Sequence, residues 1–472
     1  MIFRQILHED LGCASYLIGD EKAGVAAVVD PRFEIDEYLE LARYIGVRIE
    51  HVFETHNHAD HVSGHGRLAA ATDATIHVHR LVAPDFEHEP FDHGDEWELG
   101  SLRITALHTP GHRPEHTAFL LTDTRRAEEP WAVLTGDSLF VGDVARPDLA
   151  VERSEGARGI FHSLHDQLLA LPDHIEVWPG HLGGSMCGGP GLDMKVASTI
   201  GFERAHNPLL QIDDESEFVA QAIASLGAQP PNFRAIVELN HGPLLTDGVE
   251  PPRLFPGQLI HRQRAGALVV DVRTDYQFAE AHVPGSISVP LHHGGFGTKL
   301  AWLAGDADEL IFVGRDDEDG RRAANLAAAV GLAHAARQGG VLAGGMTSWT
   351  AEDQEVSGLE RLPVDRVAAR LGDDPAAQVL DVRERSEWSA GHIPGSVSVP
   401  WHDITGIPAG IDPQRPILVI CASGQRAGVA ASLLERHGAR QVVHVIDGGV
   451  PKWERLGGPI ATDDAPDVRA VA

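Results

Sequence analysis

Residues Thr55 to His61 read THNHADH and gather His56, His58, Asp60 and His61 into one short stretch, which is the chemistry of a metal site. A lone histidine is more often an ordinary core or surface residue, but three imidazoles and a carboxylate in one turn can face a single point without help from distant sequence. Further ligand-type residues follow, each just past an apolar run: His112 after His108-Thr109-Pro110-Gly111, Asp137 after Leu134-Thr135-Gly136, and His181 after Trp178-Pro179-Gly180. A second kind of chemistry sits late in the sequence. There Ile417-Leu418-Val419-Ile420 delivers Cys421, and Cys421-Ala422-Ser423-Gly424-Gln425-Arg426 opens into a helical pattern. Backbone N–H groups curled around a sulfur, the positive end of a helix and Arg426 would together stabilise a thiolate nucleophile.

The elements that must position these residues are legible around them. Val47 to Phe53 largely alternates apolar and polar residues, which predicts a strand that ends on the histidines, and Arg67-Leu68-Ala69-Ala70-Ala71 reads as helix. His112, Asp137 and His181 then fall at carboxyl ends of strands, where the loops of layered α/β architectures converge. Prolines at Pro230-Pro231, Pro251-Pro252 and Pro256 mark a boundary near residue 250. Beyond it the sequence repeats: Asp271-Val272-Arg273 returns as Asp381-Val382-Arg383, and His282-Val283-Pro284-Gly285-Ser286 as His392-Ile393-Pro394-Gly395-Ser396. Gly344-Gly345 with Trp349 returns as Gly448-Gly449 with Trp453. The spacing is that of two tandem domains rather than a solenoid, whose units run about 20 to 50 residues. Strands such as Leu268 to Val270 alternate with helices such as Ala427 to His437, closed by Gly438, so each copy is predicted to be a small parallel α/β domain.

Residues 1–250 resemble the metallo-β-lactamase superfamily, whose hallmark is the THNHADH-type motif followed by a later His, Asp and His. That implies an αββα sandwich. The string from Gly136 to Asp148, GDSLFVGDVARPD, and the string from His181 to Gly188, HLGGSMCG, resemble its persulfide dioxygenase branch. The resemblance implies one Fe(II) per chain held by His56, His112 and Asp137, with zinc as the alternative. His58, Asp60, His61 and His181 would then orient the ligands and hydrogen-bond bound oxygen, or hold a second metal if the chain is instead a dinuclear thioester hydrolase of the glyoxalase II type. The resemblance also makes Arg146 a contact for the anionic substrate. Cys187, six residues after His181, is expected near the metal pocket, where it would contact or receive sulfur; Cys13 reads as core packing.

The last copy, residues 362–465, resembles the rhodanese family, which implies Cys421 as the persulfide-forming nucleophile and Arg426 as the loop residue that helps hold an anionic sulfur species. The first copy, residues 258–355, departs from the pattern where chemistry would occur. Gly314 takes the cysteine position, and Asp316, Asp317, Glu318 and Asp319 follow where an anion cradle is required. This copy is expected to be inactive and to serve as a structural or interface module.

The whole is 472 residues with 43% hydrophobic composition, enough for about three domains at ~150 residues each. A formal net charge of -31 excludes nucleic acid as a partner, because phosphate neutralisation needs a basic face. No apolar run is long enough to span a bilayer, and three cysteines (Cys13, Cys187, Cys421) form no disulfide framework, so a cytoplasmic location is expected. The Met1 to Asp10 segment lacks the features of a secretory signal. Joining the resemblances, the expected reaction oxidises a low-molecular-weight thiol persulfide with O2 to sulfite, and Cys421 persulfide passes sulfur to sulfite to give thiosulfate. The expected partners are thus the persulfide, O2 and sulfite, and a homo-oligomer is anticipated through the inactive copy.

Overall fold

The computed structural model describes residues 1–183, 185, 187–188, 191–224 and 226–462. Gly184 and Met186 of the HLGGSMCG string, and residues 463–465 at the end of the last expected domain, lie outside them. The described residues form two compact units, one of residues 1–248 and 327–333, the other of residues 249–326 and 334 onward.

The first unit is built on two six-stranded sheets. One runs in the order Ile2–His8, Cys13–Asp20, Val25–Val29, Arg48–Phe53, Thr75–His79, Glu89–Phe91; the other in the order Ser198–Thr199, Glu176–Pro179, Ala132–Gly136, Thr117–Asp123, Leu102–His108, Glu96–Leu99. Successive strand side chains point to opposite faces, so one strand can feed two cores. Ala14, Tyr16 and Ile18 of the Cys13–Asp20 strand pack with Phe53, Ile104, Phe119 and Leu134 between the sheets, whereas Leu17 joins the outer core under the Asp36–Ile45 helix. On the far face of the second sheet, Val133 and Val177 pack with Ile160 and Phe218 from the Arg153–His162 and Glu215–Ala224 helices. Helix, sheet, sheet, helix is the αββα order that the resemblance implied.

The predicted Val47–Phe53 strand is Arg48–Phe53, and the predicted helix at Arg67 spans His65–Thr72. The strands Leu102–His108, Ala132–Gly136 and Glu176–Pro179 run in the same direction, since Ala132–Gly136 pairs parallel with the latter and both it and Leu102–His108 pair antiparallel with Thr117–Asp123. Their carboxyl ends therefore deliver His112, Asp137 and His181 to one edge.

The second unit carries two five-stranded parallel sheets of the same order. They are Arg253–Leu254, Gly340–Leu342, Leu310–Val313, Leu268–Asp271, Ile287–Ser288, and then Glu360–Pro363, Val442–Ile446, Ile417–Ile420, Gln378–Asp381, Val397–Ser398. The central strands are buried on both faces, which is why they read as continuous apolar runs rather than alternating ones. The repeated motifs occupy equivalent places. Arg273 forks onto Asp271 as Arg383 does onto Asp381, and the Trp349 and Trp453 indoles donate to the carbonyls of Glu355 and Pro459 at 2.8 and 3.0 Å. Among the described residues no helix is long and apolar enough to cross a membrane.

Candidate functional site

Thr55 begins the histidine turn at the end of the Arg48–Phe53 strand, and it is tied to Asp30, the residue that ends the neighbouring Val25–Val29 strand. The Thr55 N–H donates to Asp30 Oδ1 at 2.7 Å and its hydroxyl to Asp30 Oδ2 at 2.9 Å. With its proton so committed, the hydroxyl accepts from His56 Nδ1 at 2.9 Å. His112 Nδ1 likewise donates to the Arg146 carbonyl at 2.9 Å. Both imidazoles are therefore fixed with Nε2 as the free lone pair, the arrangement in which a neighbouring acceptor sets the tautomer of a metal-binding histidine. Burial, and for His56 also the nearby His58 imidazole, pushes both below the usual histidine pKa, so they are neutral and competent as ligands.

Asp137 completes the set. Its Oδ2 lies 3.5 Å from His112 Nε2 and 4.0 Å from His56 Nε2. All three residues are at most 2% exposed, and these three atoms have no hydrogen-bond partner. Buried polar atoms left unpaired are costly, and three of them converging from separate loops, two neutral imidazole nitrogens and a carboxylate oxygen, form a donor set that fits a divalent cation. Burial alone would raise Asp137, but the His181 imidazole outweighs it and holds the carboxyl down to about 2, so it presents a negative charge. The turn is possible because Gly136 has φ +48°, and a Cβ there would lie 2.8 Å from both His116 and Thr55.

The other expected site residues surround this trio with different partners. His181 donates from Nδ1 to Asp137 Oδ1 at 2.7 Å and from Nε2 to Asp60 Oδ2 at 2.9 Å; the other Asp60 oxygen faces His61 Nδ1 at 3.2 Å. His58 turns Nε2 toward Asp30 and Glu54, at 3.2 and 3.1 Å, and its Nδ1 has no hydrogen-bond partner and lies 3.9 Å from Asp60 Oδ1. Arg146 forks onto Asp148 at 2.7 and 3.0 Å and donates to the Gly227 carbonyl, so its guanidinium is engaged with a carboxylate while its backbone holds His112. Cys187 is buried with its thiol beside Asp137 and His181, all three within 4.8 Å of one another. Burial pushes that thiol far above its usual pKa.

Sequence reasoning missed several positioning groups. Cys13, read as core packing, does begin a buried strand, but its thiol donates to Asp60 Oδ2 at 3.6 Å and its backbone bridges to His181. His116 accepts the Asp137 N–H at 2.9 Å on Nε2 while Nδ1 is held by Thr109. A charged Asp30 ending five apolar residues was a signal for its role; nothing in the sequence marked Cys13.

In the second unit Cys421 follows the Ile417–Ile420 strand, buried at the foot of the Gln425–Arg436 helix, and the Gly424 N–H donates to its Sγ at 3.0 Å. The Val450 N–H donates to the Cys421 carbonyl at 2.9 Å, so close a crossing that a Cβ on Gly449 would stand 1.8 Å from that oxygen. Arg426 forks onto Glu387 at 2.5 and 2.8 Å, which ties the loop to the Arg385–Ala390 helix; this charge, expected to face an anion, is paired within the fold. In the first copy Gly314 occupies the same place, accepting the Met346 N–H at 3.1 Å. Its loop is filled by its own carboxylates. Asp316 accepts the N–H groups of Glu318 and Asp319 at 2.9 and 3.0 Å, Asp317 that of Gly344 at 2.6 Å, and a Cβ on Gly314 would meet Asp319 at 2.5 Å.

Comparison with known proteins agrees with this division. The Metallo-beta-lactamase superfamily matches residues 8–181, and the Rhodanese-like domain matches residues 256–352 and 364–456. A crystal structure of a metallo-beta-lactamase from Staphylococcus aureus subsp. aureus COL is 30% identical, with a TM-score of 0.63 over 73% of this chain and 98% of that one. The chain belongs to the metallo-β-lactamase superfamily and carries two rhodanese-like domains after its metallo-β-lactamase domain. The mitochondrial persulfide dioxygenase ETHE1 of Bos taurus is 28% identical over 220 residues, 46% of this chain and 79% of the relative. The cytoplasmic hydroxyacylglutathione hydrolase of Arabidopsis thaliana is 35% identical over 170 residues, 35% of this chain and 62% of the relative.

Proposed function

We propose that the chain is a persulfide dioxygenase joined to a sulfurtransferase, acting on low-molecular-weight thiol persulfides in sulfide detoxification. The observation that carries this reading is the contrast within the site. His56 Nε2, His112 Nε2 and Asp137 Oδ2 converge unpaired, while Asp60 and His181 are spent on hydrogen bonds to their neighbours. One metal set is ready, and a second would have to break that network. His56, His112 and Asp137 would hold a ferrous ion, which would supply the activation of O2 toward the persulfide sulfur. The protein's own part is to fix both imidazoles through Thr55 and the Arg146 carbonyl, to hold Asp137 through His116 and His181, and to exclude water from a buried site. Overall, RSSH, O2 and water give RSH, sulfite and two protons.

In the last domain a second persulfide transfers its outer sulfur to the Cys421 thiolate and leaves as RSH. Sulfite attacks the outer sulfur of the resulting Cys421 persulfide, the S–S bond breaks, and thiosulfate departs with the Cys421 thiolate restored. The Gly424 N–H and the helix N-terminus stabilise negative sulfur throughout, and Arg426 keeps the loop in shape. The first copy lacks the loop cysteine and has a filled loop, so we assign it no transfer chemistry.

A dinuclear thioester hydrolase is the second reading, favoured by the likeness to the hydroxyacylglutathione hydrolase and by His58 Nδ1, which has no hydrogen-bond partner. Metal analysis of the freshly purified full-length chain, with activity assayed on glutathione persulfide and on S-lactoylglutathione, separates the two. About one iron per chain with persulfide-dependent O2 uptake supports the dioxygenase; two zincs with hydrolysis and no O2 uptake overturn it.

A further inference from the structure

Beside the metal ligands lies a narrow cavity that none of the chemistry above uses. It is lined by Val78, Val82 and Phe86 together with His56, His58 and Glu54, and it is completed by Asn57, Ser63, His65 and Asn240. Val82 and Phe86 are partly exposed, whereas Val78, His56 and His58 are buried, so the space leads inward from the surface to the ligand side chain. Its volume is about 10 Å³. That is room for one very small molecule; pockets for drug-sized ligands run to ~300–1,000 Å³. The polar side chains along it are only partly engaged, since Glu54 Oε2, Asn57 Oδ1 and both His58 nitrogens have no hydrogen-bond partner. Glu54 accepts from Ser63 at 2.5 Å and pairs with His65 at 2.9 Å, Asn57 donates to the Val237 carbonyl, and Asn240 donates to the carbonyls of His58 and His61. Even so, the surface that faces the space is mostly hydrocarbon.

We propose that this cavity is the entry route for dioxygen, ending beside His56, and that Val78, Val82 and Phe86 are its gate. The inference rests on the dioxygenase reading. An uncharged diatomic gas loses little by leaving water for such a lining, whereas an anionic persulfide would be desolvated against Val78 and Phe86, would meet the Glu54 carboxylate and would not fit. The gas and the anion therefore reach the site by separate ways, and the gate selects by size and polarity.

Two measurements test this. In wild-type crystals pressurised with xenon, which favours dry apolar cavities, xenon should seat among Val78, Val82 and Phe86 and should be absent from Val82→Trp. In the full-length ferrous protein, nitric oxide serves as an uncharged stand-in for O2. Its binding rate should fall at least about threefold in Val82→Trp and Phe86→Trp, with the KM for glutathione persulfide unchanged. If one variant does not fold, the other and the wild-type xenon site still decide. Absence of xenon there, unaltered nitric oxide binding in a folded variant, or a persulfide KM that moves with the gas rate would overturn the route. Wild-type protein that consumes O2 while its gas entry ignores both substitutions sinks this inference alone; wild-type protein with no persulfide-dependent O2 uptake sinks the underlying reading.

Discussion

At the scale of single residues, the site depends on groups that touch no metal. Thr55 fixes the His56 tautomer only because Asp30 takes its proton. Thr55→Val should therefore leave His56 in place but let its ring turn, weakening iron binding about 10- to 100-fold, as losses of such outer partners do. Competition against a ferrous chelator reads this out, and an unchanged affinity would count against the role. These partners explain what the sequence concealed. The ligands themselves were legible because His56 sits in a dense cluster of histidines at the end of a strand, and His112 and Asp137 each follow a glycine just past an apolar run. Asp30 lies 25 residues from Thr55, and Cys13 lies 47 from Asp60, so only folding brings them together. Cys187 also belongs here. Its thiol is buried and protonated, so Cys187→Ser is expected to alter persulfide turnover through its contact with Asp137 and His181, with Cys421-dependent transfer unchanged when sulfite and persulfide are both supplied.

Among elements, the Cys421 loop shows how neighbouring segments hold a buried cysteine. The Gln425–Arg436 helix is predicted from Ala427 onward and forms two residues earlier, because Gly424, at φ +105°, lets the loop pass directly into the first turn. The Glu387–Arg426 pair joins that turn to the Arg385–Ala390 helix, and Glu387, 39 residues from Arg426, carried no mark in the sequence. Burial would raise the Glu387 carboxyl, but Arg426 outweighs it and the pKa is lowered. A carboxyl depressed in the folded state takes up a proton on unfolding. Its stabilisation is therefore complete above the ordinary glutamate value near 4.5 and is lost as pH falls through the lower folded value. Because Glu387 is about one-third exposed, Glu387→Gln should cost at most ~1 kcal/mol at pH 7 in urea unfolding, and the difference from wild type should vanish in strongly acidic buffer. A difference that persists there would contradict the assignment. Gly449→Ala is expected to be harsher, about 2 kcal/mol or more with sulfur transfer lost, since the added Cβ collides with the Cys421 carbonyl.

For the whole molecule, the division of labour was readable from motif order, since the metal ligands end before residue 182 and the repeats begin after residue 250. The filled loop of the first copy was legible as a run of acids, although the carboxylates taking up their own N–H groups became visible only in the fold. If the two activities act in series, Cys421→Ala should leave O2 consumption intact while sulfite accumulates in place of thiosulfate. The most direct measurement is O2 uptake by the iron-loaded full-length protein given a known amount of glutathione persulfide. One O2 consumed per persulfide oxidised, with sulfur recovered as sulfite and thiosulfate, is the result expected; persulfide left unoxidised with no O2 consumed, on protein holding two zincs per chain, would contradict it.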